Sequence, residues 1–378
     1  MKNVVIAGFA RSPFHFAKKG ALARVRPDEL AAQVIAALIE RSKIDPKEIE
    51  DVIVGCAMPE GEQGLNIGRI VGFLAHLPLN VAGATVNRFC GSSMQAIHMA
   101  AGAIQLDAGE AFICAGVESM TRVPMTGFNP SPHPGLAKEY PQAYISMGQT
   151  AENVARKYQV TRADQQELAV KSHRKAAAAQ AAGKFKDEIV AIKARDGSVD
   201  QDGCIRPDTS QETLSTLAPA FDAEGTVTAG TSSPLTDGAA AVLVCTEDYA
   251  KRNTLPVLAR LKSIAVAGCA PEIMGIGPVP ATQKALKRAG LAMKDIDIVE
   301  INEAFASQAL VCMRELGIDE AKANLDGGGI AMGHPLGATG ARITGKAASL
   351  LAREGKRYAL ATQCIGGGQG IATILERA

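Results

Sequence analysis

Three residues of this chain have surroundings suited to thiol chemistry: Cys90, His334 and Cys364. Cys90 stands in Thr85-Val86-Asn87-Arg88-Phe89-Cys90-Gly91-Ser92-Ser93-Met94-Gln95-Ala96. Residues 83–89 read as the end of a strand. Met94, Ile97, Ala101 and Ile104, spaced by threes and fours, predict a helix from Ser92 onward. Cys90 is therefore expected at a strand-to-helix turn, where unpaired N–H groups and the positive end of the helix dipole favour the nucleophilic thiolate. The alternative is a small buried hydrophobe, as most free cysteines are.

His334 lies between Gly327-Gly328-Gly329-Ile330-Ala331-Met332-Gly333 and Pro335-Leu336-Gly337-Ala338-Thr339-Gly340. Pro335 suits a first helical position, which makes His334 the expected N-cap. A neutral imidazole there can take a proton from a nearby thiol. The glycines let a thioester come close, but their spacing is not that of a dinucleotide fingerprint, and no Lys follows the last Gly as in a phosphate loop. His15, His76, His98, His133 and His173 lack such a setting and are read as structural. Gln363-Cys364-Ile365-Gly366-Gly367-Gly368-Gln369-Gly370 separates two apolar runs, so Cys364 is expected at a hairpin tip. A second thiol suits acid/base work. A disulfide with Cys90 is the competing reading, disfavoured in a reducing cytoplasm. Asn302-Glu303-Ala304-Phe305-Ala306 follows the predicted strand 297–301, where an amide can hold a water or orient an oxyanion donor; an Asn there can equally be a helix N-cap.

These residues need a scaffold, and the periodicities predict one. Strands at 4–9, 51–55, 83–89 and 111–117 alternate with helices at 27–42, 66–77 and from 92, which implies a parallel sheet covered by helices. A second series repeats the pattern: strand 258–266, helix 281–289, strand 297–301, helix 305–316 and a helix over 335–353. Lys47-Glu48-Ile49-Glu50-Asp51-Val52-Ile53-Val54 is echoed by Lys294-Asp295-Ile296-Asp297-Ile298-Val299-Glu300-Ile301. Two similar halves stacked through their central helices follow, with Cys90 and His334 at equivalent turns facing one cleft. Residues 118–235 fit neither half. Residues 121–141 read as loop, 148–157 and 162–182 as helices, and 225–233 as a polar loop open to a ligand; a strand over 239–246 returns to the first half. This insertion is expected to cap the cleft.

Composition bounds the function. The chain has 378 residues, 47% of them apolar, no Trp, and a formal net charge of +1. That suits a packed α/β protein with no basic surplus for nucleic acid or an anionic membrane. No apolar run is long enough to span a bilayer, and a cytoplasmic protein is expected. The eight cysteines are scattered without a C-x-x-C pair or Cys/His cluster, so no metal is indicated. Cys56, Cys114, Cys245, Cys269 and Cys312 read as core, and Cys204 as an exposed turn residue.

Together, V-N-R-F-C-G-S-S-M-Q-A, N-E-A-F-A, G-G-G-I-A-M-G-H-P-L-G-A-T-G and C-I-G-G-G-Q-G resemble the thiolase family over essentially the whole chain. Ser92-Ser93-Met94, where biosynthetic members usually have Ser-Gly-Leu, is most similar to degradative 3-ketoacyl-CoA thiolases. The resemblance implies two βαβαβαββ halves stacked as a five-layer α-β-α-β-α sandwich, with units 1–117 plus 236–256, a coenzyme A-binding loop domain 118–235, and 257–378. It implies that Cys90 attacks a 3-ketoacyl-CoA after His334 takes its proton, that Cys364 is the second acid/base, and that Asn302 holds a water beside His334. The backbone N–H groups of Cys90 and Gly366 would form a second oxyanion hole. Ser233 matches a serine on the pantetheine arm; Met147, Ala229, Phe221, Phe305 and Met274 match its lining or the acyl pocket; Arg206 falls near the nucleotide end. Ser146 departs from a histidine common in biosynthetic members, which weakens transfer of their chain-length preference.

The resemblance also implies coenzyme A as co-substrate with no permanently bound cofactor, a homodimer or homotetramer, and a hydratase/dehydrogenase subunit as a candidate partner. Three alternatives stand beside it. A biosynthetic acetoacetyl-CoA thiolase would act only on the shortest substrate. A non-catalytic acyl-CoA-binding protein on the same fold would not need the paired thiols. A ketoacyl synthase acting on carrier protein is disfavoured by Cys364 and the coenzyme A loop.

Overall fold

Strands buried on both faces read as continuous apolar runs, and those of this chain are covered by helices on each side. The computed structural model describes residues 2–378. Its first half comprises β1 (Val4–Arg11), β2 (His15–Phe16), α1 (Pro27–Ser42), β3 (Asp51–Gly55), α2 (Ile67–Leu74), β4 (Ala82–Val86), α3 (Ser92–Gln105) and β5 (Ala111–Ser119). The insertion carries α4 (Pro134–Glu139), α5 (Met147–Lys157), α6 (Arg162–Ala181), the hairpin β6 (Ile192–Ala194) and β7 (Gly197–Val199), and α7 (Gln211–Ser215). Then follow β8 (Thr236–Thr246), α8 (Glu247–Arg252), β9 (Ala259–Gly268), α9 (Pro278–Ala289), β10 (Ile298–Ile301), α10 (Ala306–Leu316), α11 (Gly329–Met332), α12 (Thr339–Glu354), β11 (Tyr358–Ile365) and β12 (Gln369–Glu376).

The strand order is β4-β3-β5-β8-β1 in one half and β10-β11-β12-β9 in the other. The repeat extends to the missing strand: Ala323 pairs in parallel with Val299 of β10, where β4 pairs in parallel with β3. Two register pairs, Val5 with Arg260 and Ile6 with Ala259, join the halves. The sheet is mixed, not parallel as the alternation of strands and helices suggested. β8 runs antiparallel to β5 and β1, and β12 to β11 and β9. The β11–β12 link is only three residues long, which permits no other direction.

Three apolar clusters define five layers. One packs α1 and α2 on the outer face of the first half, one packs α9 and α10 on the outer face of the second, and one joins α3, α12 and both inner faces. The predicted face of α3 is this central contact: Met94, Ile97 and Ile104 are fully buried, each stabilising by about 1.5–3 kcal/mol. The α3–α12 crossing is close because Gly340 has no side chain; a Cβ there would lie 2.3 Å from the Met94 backbone nitrogen. The Ala341 N–H donates to Ser93 Oγ at 2.8 Å.

Buried ion pairs fasten the insertion to both halves. Arg11 of β1 donates to both Asp202 oxygens at 2.7 Å and to Glu188 at 2.9 Å. Lys346 of α12 reaches Glu188 at 2.8 Å and Asp326 at 2.7 Å. Removing one partner of such a pair typically costs about 3–5 kcal/mol, because the other charge stays buried. This network overturns the expectation that Cys204 is exposed. Asp202 also accepts from the Phe14 N–H, Gly203 donates to the Phe14 carbonyl, and the turn is drawn inside, leaving Cys204 fully buried. Within 121–141, read as loop, α4 forms with Pro134 in its first turn and the His133 ring accepting from the Leu136 N–H.

Candidate active site

Cys90 occupies the turn between β4 and α3, and local bonds shape that turn. Asn87 Oδ1 accepts from the Phe89 N–H at 2.8 Å, while Ser92 Oγ accepts from the Arg88 N–H at 2.9 Å and donates to the Phe89 carbonyl at 2.6 Å. They hold Phe89 at φ 43°, a left-handed conformation costing a non-glycine residue roughly 1–2 kcal/mol. A Cβ on Gly91 would lie 2.5 Å from Ile365 Cδ1, so the bare glycine lets β11 close on the turn. The Gln363 amide donates to the Cys90 carbonyl, locking β11 to the Cys90 backbone.

The backbone N–H groups of Gly366 and of Cys90 itself favour the Cys90 thiolate. Burial outweighs them, with the Glu118 carboxylate adding to it, and the thiol is pushed up to about 11. The expectation of a thiolate-biased cysteine is thus corrected: the helix start is local, whereas desolvation is set by everything packed around the turn. Cys364 lies within β11 opposite Gly370, two residues before the glycine tip. Burial, followed by the proximity of Cys90, holds its thiol well above the ordinary range.

His334 is not the N-cap of α12. Pro335 is extended, residues 336–338 form a separate turn, and α12 begins at Thr339. The Gly337 N–H is held at 2.9 Å by Glu118, which draws this turn toward the first half and keeps His334 outside the helix. The His334 N–H donates to Thr236 Oγ1 at 3.1 Å, and the Thr236 hydroxyl donates to the Pro234 carbonyl at 2.6 Å. The imidazole Nδ1 lies 2.6 Å from Thr339 Oγ1. Burial first, and the Arg342 charge second, lower the imidazole to about 3, so it is neutral at pH 7. Leu336 packs with Cys90, Ala57 and Met120, which seats the His334 turn against Cys90.

Asn302 follows β10, fully buried, and it does not cap α10, whose N-cap is Phe305. Neither atom of its amide has a protein partner, nor does His334 Nε2. A Cβ on Gly329 would lie 2.7 Å from Asn302 Oδ1, so the amide abuts the glycine run leading to His334. Met147, Met274 and Phe305 share one apolar cluster with Cys364. Phe221 meets Phe305 edge-on, ring centroids 5.9 Å apart. The Ser233 N–H donates to the Ala304 carbonyl at 2.9 Å, and Ala229 is exposed in the 229–231 turn. Arg206 is not brought to this group: its ring contact is Phe16, and its N–H donates to His173 Nδ1 at 3.1 Å.

Comparison with known proteins decides the family. The Thiolase, N-terminal domain family matches residues 4–248 and the Thiolase, C-terminal domain family residues 255–377. The chain belongs to the thiolase family. This thiolase is 51% identical to the 3-ketoacyl-CoA thiolase of Shewanella loihica and 48% identical to that of Bacillus subtilis, each alignment covering 100% of both chains. The solved human mitochondrial 3-ketoacyl-CoA thiolase in complex with CoA superposes with a TM-score of 0.91 at 37% identity, covering 100% of this chain and 98% of that one. The Bacillus anthracis acetyl-CoA acetyltransferase gives 0.92 at 39%, covering 100% and 99%.

Several residues that build this thiolase site were missed in the sequence. Glu118, the next-to-last residue of β5, accepts from the Ala57, Met58 and Gly337 N–H groups and from the Gln63 amide. It ties the turn beside Cys90 to the turn bearing His334; the available signal was a carboxylate closing an apolar strand. Glu303 accepts from the Ser172 hydroxyl at 2.6 Å, the Asn324 amide at 2.8 Å and the Ile330 N–H at 3.3 Å, bracing Asn302 against α6 and the glycine run. Among the described residues no His, Cys, Asp and Glu cluster could hold a metal ion, and no helix is long and apolar enough to cross a membrane.

Proposed function

We propose that this acyltransferase cleaves a 3-ketoacyl-CoA with coenzyme A, giving acetyl-CoA and an acyl-CoA two carbons shorter. The observation that carries the reading is a Cys90 thiol that feels the Gly366 and Cys90 N–H groups and lies close enough to Cys364 to raise that thiol, in a chain 48–51% identical over its full length to 3-ketoacyl-CoA thiolases. Cys90 passes its proton to His334 Nε2 as sulfur bonds to the 3-keto carbon. The resulting oxyanion faces the Cys90 and Gly366 N–H groups. The C2–C3 bond breaks, the electron pair leaves as the acetyl-CoA enolate, and Cys364 protonates its carbon. The enolate oxygen faces His334 and a water held by Asn302. Coenzyme A then enters and gives its thiol proton to Cys364; its sulfur displaces the acyl group, and His334 returns the proton to Cys90. Burial suits these roles: it keeps Cys364 protonated until it must act as an acid and leaves His334 neutral until it must act as a base. One oxyanion donor is typically worth about 3 kcal/mol.

In this reading residues 118–235 form the coenzyme A-binding unit set on the units 1–117 plus 236–256 and 257–378. Ser233, Met147, Ala229, Phe221, Phe305 and Met274 contact the pantetheine arm or the acyl chain, and Arg206 lies near the nucleotide end. The enzyme serves fatty-acid β-oxidation in the cytoplasm, with a hydratase/dehydrogenase subunit as a candidate partner. A homodimer or homotetramer is supported by the open edge of β4 and the exposed Leu65, Phe73 and Leu79. The biosynthetic reading is less favoured, since the relatives at 48–51% identity carry the 3-ketoacyl-CoA thiolase name. The test is coenzyme A-dependent cleavage of 3-ketoacyl-CoA substrates from short to long chain, with Cys90→Ala as control. Cleavage of medium and long chains is expected; activity on acetoacetyl-CoA alone would reverse the choice, and no activity on any chain would return the binding-protein reading.

A further inference from the structure

We infer that Thr339 is a positioning residue that sets the tautomer of His334: its hydroxyl oxygen accepts a hydrogen bond from Nδ1–H, leaving Nε2 as the bare nitrogen able to receive a proton. The inference rests on the reading of His334 as the acceptor of the Cys90 proton. Thr339 is fully buried at the first position of α12, with Oγ1 2.6 Å from His334 Nδ1 and 3.2 Å from the Pro335 carbonyl. A threonine hydroxyl owns one hydrogen and two lone pairs, whereas a neutral imidazole has one N–H and one bare nitrogen. The Pro335 carbonyl can only accept, and besides the Ala338 and Thr339 N–H groups at 2.9 and 3.1 Å it takes the hydroxyl at 3.2 Å, a rotamer in which the hydroxyl hydrogen lies away from Nδ1. The oxygen then has only lone pairs to offer Nδ1, and Nδ1 must bring the hydrogen. The opposite placement turns the hydroxyl hydrogen to Nδ1 and puts the imidazole proton on Nε2, a buried donor with no acceptor in the protein.

The ring is prepared from two sides. Donation from a helical Thr to the carbonyl four residues back is a common local pattern, and here it orients the hydroxyl before the histidine is considered. Thr236 holds the His334 N–H and links it to Pro234, beside Ser233 in the insertion. One threonine therefore fixes the backbone of His334 and the other its tautomer, as partners behind ligating or catalytic imidazoles commonly do.

The test is nitrogen NMR on protein labelled with ¹⁵N-histidine, the His334 signals being assigned by their loss in His334→Asn. The wild-type spectrum at neutral pH is expected to show the proton on Nδ1 and a bare Nε2. Thr339→Val, which keeps the shape and loses the hydroxyl, is expected to move population toward Nε2–H and to lower kcat about 10–100-fold with KM for coenzyme A little changed. Thr339→Ser is expected to restore the wild-type spectrum and much of the lost kcat. A wild-type spectrum with the proton on Nε2 overturns the inference, as does a valine variant with wild-type tautomer and kcat. Should the valine variant not fold, the wild-type spectrum decides alone. His334→Asn with wild-type turnover would sink the base assignment while leaving the tautomer measurement standing, so the two failures are distinguishable.

Discussion

Replacing Glu118 by Gln should damage both stability and turnover, although it removes only a charge and not volume. Oε2 accepts from the Ala57 N–H at 2.8 Å and the Gly337 N–H at 2.9 Å; Oε1 accepts from the Gln63 amide at 2.8 Å and the Met58 N–H at 3.1 Å. Whichever way the new amide turns, its NH2 faces two donors. Gln63 cannot simply flip to relieve them, because its own oxygen accepts from the Ser119 N–H at 2.6 Å. Two lost bonds to a charged group, at about 1.5–3 kcal/mol each, offset in part by no longer burying a charge, give a net loss of about 3 kcal/mol. The released Gly337 lies three residues from His334, and a misplacement of about 1 Å typically costs about 100-fold in rate. Urea unfolding with kcat and KM measurements checks both effects. The pH dependence adds a signed test. Burial raises the Glu118 carboxyl above 4.5, so native protein holds that proton more tightly than the unfolded chain; the associated stability is full below 4.5 and lost as pH rises through the raised value. The variant should lack that slope. A Glu118→Gln protein with wild-type midpoint and turnover would refute the reasoning.

Two further outcomes follow from the site. Because burial holds the Cys90 thiol at about 11, inactivation of the free enzyme by iodoacetamide should accelerate about tenfold per pH unit through the neutral and alkaline range. A rate already level below neutrality would indicate a preformed thiolate–imidazolium pair. Arg206→Ala should raise KM for coenzyme A about tenfold, about 1.4 kcal/mol, through loss of a contact at the nucleotide end; an unchanged KM would remove Arg206 from the ligand.

What was legible in the sequence is what local pattern determines. The buried face of α3 follows from the spacing of Met94, Ile97 and Ile104, and Cys90, His334 and Cys364 stand out by the glycines and turns around them. What was not legible depends on partners far along the chain. β8 begins at Thr236 rather than at 239 because Asp237, polar yet buried, accepts from Ser119 and Thr121. Cys204 is buried because Arg11 pulls Asp202 inward. The turn at His334 departs from a helix start because Glu118 lies beneath it. The protonation of Cys90 was misjudged for the same reason: a helix terminus is visible in sequence, and desolvation is not.

The central claim is that Cys90, and not Cys364, carries the acyl group. Protein mixed with an acyl-CoA, quenched in acid and mapped by peptide mass tests it directly. The account predicts the acyl mass on the peptide containing Cys90, in wild type and in Cys364→Ala, and its absence from Cys90→Ala. An acyl group found on Cys364, or one that persists in Cys90→Ala, would contradict it.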